Sequence, residues 1–388
     1  MLREGTVRIA DVRSSPLAVA ATVLVVATAW VAWSHHVGRG WHDFALVGSR
    51  FVERSSSSAA IAGDRRHATT SDGYDGQFFL YLAQDPARAR HYMDNPSYRY
   101  GRIAYPMVAR ALALGRQAWI PPMLVAVNVL AIALGTLALA AFLRRRGTDP
   151  WFALLFAAYP GLFVALLRDL SEALAYSLVA CAVWAFDPAR RERLAASAAL
   201  FALATLTREG AAVFALAWAA SLALDRRRRD ALLFAAASLG PYLVWRIVLR
   251  LWLGDQGLPA RVRPTWIPFQ GIAHFWPTNV NGVQGTYSVL LPALLAAAVA
   301  IWALRRGVRD AALWALLANV LVFVVLLQQG SWAEYLASGR IATGVVLAFA
   351  LALPALDRVL PPTRTWLWVP VALWFAPWFS LLPNALTK

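Results

Sequence analysis

SDGYDGQFFLYLAQDPARARHYMDNPSYRYGRIAYPMVAR, residues 71–110, is a polar, aromatic and arginine-rich island in a chain whose other long stretches are mostly apolar. Its acids and bases are where chemistry can be done, and the rest of the chain reads as the scaffold that holds it at a bilayer surface. Phe78, Phe79 and Leu82 fall three, four and seven residues after Asp75, the spacing of one helical face. This predicts a short helix of about ten residues, stopped by Asp85-Pro86. The run from Ile103 to Leu114 is apolar around Arg110 and falls short of the roughly 20 residues that a bilayer requires. Both runs read as helices lying in the interface plane, with Asp94-Asn95-Pro96-Ser97 as a turn between them.

Around the island, 60% hydrophobic content over 388 residues is too apolar for one soluble domain, and the apolar residues come in blocks near spanning length. The chain reads as one all-α polytopic membrane domain over 1–388. The net charge of +16 is carried almost wholly by arginine, since Lys388 is the only lysine. That balance, with the alanine excess, points to a GC-rich bacterial genome and hence to a bacterial plasma (inner) membrane. The arginines sit in short clusters between apolar blocks, the orientation signal of membrane proteins, so nucleic acid is excluded as a partner and the lipid bilayer takes its place. Cys181 is alone, which removes disulfides and thiolate metal sites.

Arg3, Arg8 and Arg13 precede an apolar run from Leu17 to Trp33. It reads as an uncleaved first span rather than a signal peptide, because Trp30 and Trp33 anchor its far end and no small-residue cleavage site follows. The N-terminus is then cytoplasmic. Arginine clusters recur on every second loop, at 144–146, 190–193, 226–229, 305–309, and 358 with 364. The alternation predicts about 11 spans and an extracytoplasmic C-terminus. Spans fall near 17–33, 119–143, 151–167, 171–187, 194–207, 211–224, 231–253, 286–304, 310–328, 340–356 and 366–382. The outward segments are the loops 35–118 and 254–285, the corners at Arg168-Asp169 and Arg208-Glu209, and 329–339. Each carries charged or aromatic groups near membrane depth, where an ionisable group is expensive and marks a functional candidate.

Asp72 and Asp75 flank Gly73 and Tyr74. A carboxylate at the mouth of an apolar cavity can be tuned to take a proton from a hydroxyl, as sugar transfer requires; the competing reading makes Asp75 a helix N-cap. Arg168 and Arg208 are candidates for gripping a lipid phosphate, against local pairing within Arg168-Asp169-Leu170-Ser171-Glu172 and of Arg208 with Glu209. Trp332, Glu334 and Tyr335, before Gly339-Arg340, offer an aromatic platform and another acid, or ordinary belt residues. His35, His36 and His42 with Asp43 show no repeating ligand spacing.

Taken together, the first outward loop with its acid and two short helices (Asp72 to Arg110), SEALAYSLVA at Ser171, LTREG at Leu206 and the late Gly339-Arg340 resemble the GT-C glycosyltransferase superfamily. They are most similar to the branch of glycosylphosphatidylinositol-anchor mannosyltransferases and their bacterial relatives. The resemblance implies an inverting transferase (an enzyme of the EC 2.4 class) with a polyprenyl-phosphate sugar donor and an outward-facing site. A cell-envelope glycan, lipid or protein would be the acceptor, and an acid in the first loop the general base. By position the base is Asp75 or Asp72. The donor phosphate falls to Arg208, then Arg168 and Arg340, with Arg102. Gln77, Glu172, Glu209, Trp332, Glu334 and Tyr335 are candidates for binding substrate. A divalent cation, magnesium or manganese, would be held by Asp72 and Asp75 if the reaction uses one. Gly73-Tyr74 stands where the family has a tryptophan before the acid, which leaves the choice of aspartate open. The rivals are a flippase of lipid-linked sugars and a non-catalytic subunit of an envelope-polymer complex.

Overall fold

The computed structural model describes residues 15–52, 67–69, 72–254, 265–276, 279–360 and 368–381. Arg3, Arg8, Arg13, Arg364 and much of the 254–285 loop lie outside the described residues. Within them the chain is helical throughout, with a single isolated bridge between Gly48 and Thr69 and no strand. This is an all-α membrane protein: five helices are long and apolar enough to cross a bilayer, or six if one bent pair is a single span.

The main helices are α1 (Pro16–His36), α2 (Gly76–Gln84), α3 (Ala104–Leu112), α4 (Ile120–Arg145), α5 (Pro160–Leu167), α6 (Glu172–Ala185), α7 (Arg191–Thr207), α8 (Ala212–Leu224), α9 (Arg228–Leu253), α10 (Leu291–Arg305), α11 (Ala311–Val320), α12 (Tyr335–Ile341), α13 (Thr343–Leu356) and α14 (Trp368–Phe375). Proline sets several starts, standing in the first turn of α1, α4 and α5 where a missing N–H costs nothing. The span expected at 151–167 is divided: 150–157 and α5 meet at a 54° bend, with Pro160 opening the second half. The other expected spans coincide with helices, but α6, α8, α11 and α14 lie in apolar segments shorter than 18 residues and α7 has only 17. Five or six spans therefore stand on length and composition.

α4 and α13 form the interior, with α13 buried along its whole length. α1 and α9 lie outermost and keep most of their apolar surface outward, as lipid-facing helices do. At the far end of α4, Arg146 pairs with Asp310 at 2.9 Å and the Thr148 hydroxyl donates to Asp357 at 3.2 Å, which brings three arginine-bearing loops to one end of the bundle. At the opposite end, Asn128 of α4 donates to the Tyr105 hydroxyl and to the Leu170 carbonyl, fixing α3 and the corner before α6 to the same helix.

Of the two short helices, α2 differs from the in-plane reading. All nine residues of α2 are buried, so Phe78 and Phe79 are rooted in protein rather than in the interface. An interfacial helix leaves one face to lipid, and α2 has none left over. Its C-terminal carbonyls explain the arginine embedded in α3: Arg110 donates to the Ala83 and Gln84 carbonyls at 2.7 and 2.9 Å, groups that have no partner inside the helix. The Asp94–Ser97 turn is a helix start, with Asn95 capping Pro96–Tyr100 by accepting from Tyr98 N–H at 2.9 Å. Asx-Pro marks turns and helix N-termini alike.

Candidate functional site

The start of α2, the corner before α6, the end of α7 and α12 converge at the α4 N-terminal end. Close backbone contact positions them. A Cβ on Gly76 would lie 2.1 Å from the Arg168 carbonyl oxygen, so only glycine admits that approach. Asp169 turns the corner at φ 48°, a left-handed conformation that aspartate tolerates better than most side chains. α12 is seated by a similar contact: a Cβ on Gly161 of α5 would be 2.4 Å from the Gly339 carbonyl, which also accepts from the Tyr159 hydroxyl at 2.8 Å. This delivers Arg340 to Asp75.

Asp75 stands at the N-cap of α2, but its side chain makes no capping hydrogen bond. It turns to two arginines instead. Arg99 Nη1 donates to Oδ1 at 2.9 Å and Arg340 Nη2 to Oδ2 at 2.5 Å. Arg99 is further fixed by two bonds to Asp94, at 2.8 and 2.9 Å, and by the Phe78 ring, 4.2 Å from the guanidinium carbon to the ring centroid. Arg340 Nη1 lies 3.5 Å from Glu172 Oε1, and Arg208 Nη1 lies 2.9 Å from the same oxygen. Glu172 is fully buried, yet neither of its oxygens has an aligned hydrogen-bond partner. Arg102 grips Glu209 at 2.9 and 2.5 Å and also reaches the Tyr98 hydroxyl.

Arg99, Arg102, Arg208 and Arg340 thus face Asp75, Asp94, Glu172 and Glu209, four charges against four. Pairing is what makes the burial of the four arginines and Glu172 tolerable, since an isolated buried charge costs several kcal/mol. Burial alone pushes the Asp75 carboxyl up, but Arg99 and Arg340 overcome that and hold it well below the usual carboxylate range. Asp169 is the opposite case: both its oxygens are buried without partners, and burial drives its carboxyl well up, toward the neutral form.

Two cavities flank this network. One, of about 180 Å³, lies between Arg102, Arg208, Glu209 and the Leu321–Val325 π-helical turn, with Gln328 and Ser331 on its wall. The other, of about 480 Å³, is lined by Arg39, Arg168, Glu334 and Tyr335 with Phe163 and Leu167.

Several sequence candidates therefore meet: Asp75, Glu172, Arg208 and Arg340 in one network, with Arg102 and Glu209 beside it. Neither local pairing arises, because Arg208 pairs with Glu172 rather than Glu209, and Asp169 has no partner. Others lie apart. Asp72 points outward, its side chain 68% exposed and paired with Arg50, while Gln77 ties the loop by accepting from Gly48 N–H and donating to the Asp72 carbonyl. Trp332 is a core residue, 1% exposed and packed against Gly271 and Gly285, so it presents no face to either cavity. A cation between Asp72 and Asp75 does not fit this arrangement, since Asp75 is already held by two guanidinium groups; among the described residues no three His, Cys, Asp or Glu side chains gather as metal ligands. Arg99, Asp94 and Arg39 were not singled out from the sequence. Arg39 carried the clearest signal, a cation a few residues beyond Trp33, at the end of the first apolar run.

Fold and site together define an all-α membrane protein with a buried acid–arginine centre at one end of its bundle. Comparison with family models, with curated proteins and with solved structures returned no match.

Proposed function

We propose that the protein is an extracytoplasmic GT-C-type glycosyltransferase of a bacterial plasma membrane, with about 11 spans, a cytoplasmic N-terminus and an extracytoplasmic C-terminus. It moves one sugar from a polyprenyl phosphate to an envelope acceptor. The observation that carries this reading is Asp75: a carboxylate at a helix start that leaves its cap position and sits between Arg99 and Arg340, with the cavity of Arg39 and Arg168 one residue away at the Gly76 contact. In the reaction the acceptor oxygen attacks the anomeric carbon and the bond from that carbon to the phosphate oxygen breaks. The lipid phosphate leaves with the electron pair, and the acceptor proton passes to Asp75. Clamped by two arginines, Asp75 is ionised but weakly basic. A donor phosphate bound nearby adds negative charge that partly offsets the two guanidinium groups and restores basicity as it binds. Guanidinium groups that stabilise the departing phosphate act on the transition state more than on the ground state.

The test is mass spectrometry of envelope glycans from a deletion strain, complemented with the wild-type chain or with Asp75→Asn. Loss of one glycan species, restored by the first and not by the second, is the expected result. The bent pair 150–157 and α5 keeps a flippase of lipid-linked sugars as the second reading, because broken helices mark transporter sites. A flippase or a non-catalytic subunit predicts that Asp75→Asn leaves the glycan composition unchanged.

A further inference from the structure

The guanidinium groups at this end of the bundle fall into two kinds. Arg99, Arg102, Arg208 and Arg340 each lie within 2.9 Å of a carboxylate. Arg39 and Arg168, which line the larger cavity, have no carboxylate bonded to them among the described residues. Both are half-buried. Burial lowers the pKa of Arg168, and the charge of Arg39 lowers it further, so two like charges are held together at an energetic cost. Glu334 lines the same cavity and the charge of Asp43 acts on Arg39, but no carboxylate is bonded to Arg168 among the described residues. Asn281 and Gln284 add neutral hydrogen-bonding groups, and Phe163 and Leu167 make the wall apolar.

A cavity of about 480 Å³ with two guanidinium groups that have no bonded carboxylate among the described residues, amide side chains and an apolar wall suits an anion attached to hydrocarbon. We infer that the Arg39–Arg168 cavity, rather than the Arg208–Glu172 pair, binds the phosphate headgroup of a prenyl lipid. This re-ranks the arginines from the order the sequence suggests: to bind an anion Arg208 would have to give up its 2.9 Å contact and leave buried Glu172 with only Arg340 at 3.5 Å, whereas Arg39 and Arg168 have no bonded carboxylate to give up. The inference rests on the transferase reading only for the purpose of the bound lipid, and its test reads binding rather than transfer.

The probe is farnesyl phosphate, titrated onto the purified full-length protein in detergent, with farnesol and inorganic phosphate as parallel arms. Binding should be tight for farnesyl phosphate alone, and weaker by about tenfold to a hundredfold in Arg39→Gln and in Arg168→Gln, the loss of one charged hydrogen bond. The exposed Arg116→Gln controls for net charge and should bind as the wild type does. Thermal melts of each variant separate lost binding from lost folding, and Arg168→Lys, which keeps the charge without the planar fork, should bind at intermediate strength. Equal binding of farnesol would make the cavity an apolar groove, and equal binding of inorganic phosphate a small-anion site; either overturns the inference. Unchanged affinity in Arg39→Gln and Arg168→Gln, with loss in Arg208→Gln, would also overturn it and return the phosphate to Glu172's partner. Asp75→Asn should still bind farnesyl phosphate, so failure of the transferase reading and failure of this site are separately visible.

Discussion

Asp75→Asn removes one carboxylate charge at almost constant shape, and its cost can be worked out from the partners it leaves. Breaking a buried ion pair by deleting one member typically costs about 3–5 kcal/mol. Here the loss is cushioned. The Asp75 side chain is 21% exposed, Arg99 keeps both bonds to Asp94, and Arg340 keeps Glu172 at 3.5 Å. The destabilisation should therefore be nearer 1–2 kcal/mol, within the stability of most folded domains. Loss of a general base typically costs 10²–10⁴ in rate, or about 2.7–5.4 kcal/mol of barrier. The barrier term is the larger, so a folded but inactive protein is expected, which the N-cap alternative does not predict because Asn caps as well as Asp. The assay pairs a melting curve of the purified variant with the glycan profile of the complemented strain at matched protein level. A wild-type glycan profile from Asp75→Asn would refute the base assignment. If Asp72→Asn were then the inactive variant, the base would lie three residues away, despite the exposure of Asp72.

Gly76→Ala should lower the melting temperature, by about 1–3 kcal/mol of overpacking, and disturb transfer, since its Cβ would meet the Arg168 carbonyl at 2.1 Å; a variant indistinguishable from wild type in both would show that the contact does not constrain the site. The pH dependence follows from the depressed Asp75 pKa: its ion pairs stabilise the fold above the unfolded value of about 3.9 and are lost as pH falls through the lower folded value. The stability gap between wild type and Asp75→Asn should stay flat from about pH 5 to 8 and shrink only below about pH 4; a gap that closes near neutrality would contradict the paired state. For topology, Arg88→Cys and Arg309→Cys, both at exposed positions, are placed in a Cys181→Ala background. An impermeant thiol reagent on intact cells should label the first and not the second, and the reverse result would invert the proposed orientation.

The membrane class, the helical segments and the polar corners were legible in the chain because hydropathy, proline placement and charge clusters act over one or two turns. So were Asp75, Arg168, Arg208 and Arg340 as candidates, since an ionisable group beside apolar blocks is conspicuous by itself. The pairings were not legible. Asp75 and Arg340 are 265 residues apart and Arg102 and Glu209 are 107 apart, and no local signal tells an arginine which carboxylate it will meet. The choice between Asp72 and Asp75 was closed to sequence for a related reason: Gly73, at φ 71°, turns the chain so that one aspartate faces outward and the other the arginines. The same held for α2, whose apolar spacing fits a lipid-facing helix and a buried one equally well. Composition and spacing decide which groups this protein carries and roughly how deep they lie. Only the tertiary structure decides which charges pair and which, like Arg39 and Arg168, have no bonded carboxylate among the described residues, because Coulomb energy depends on distances that the fold alone sets.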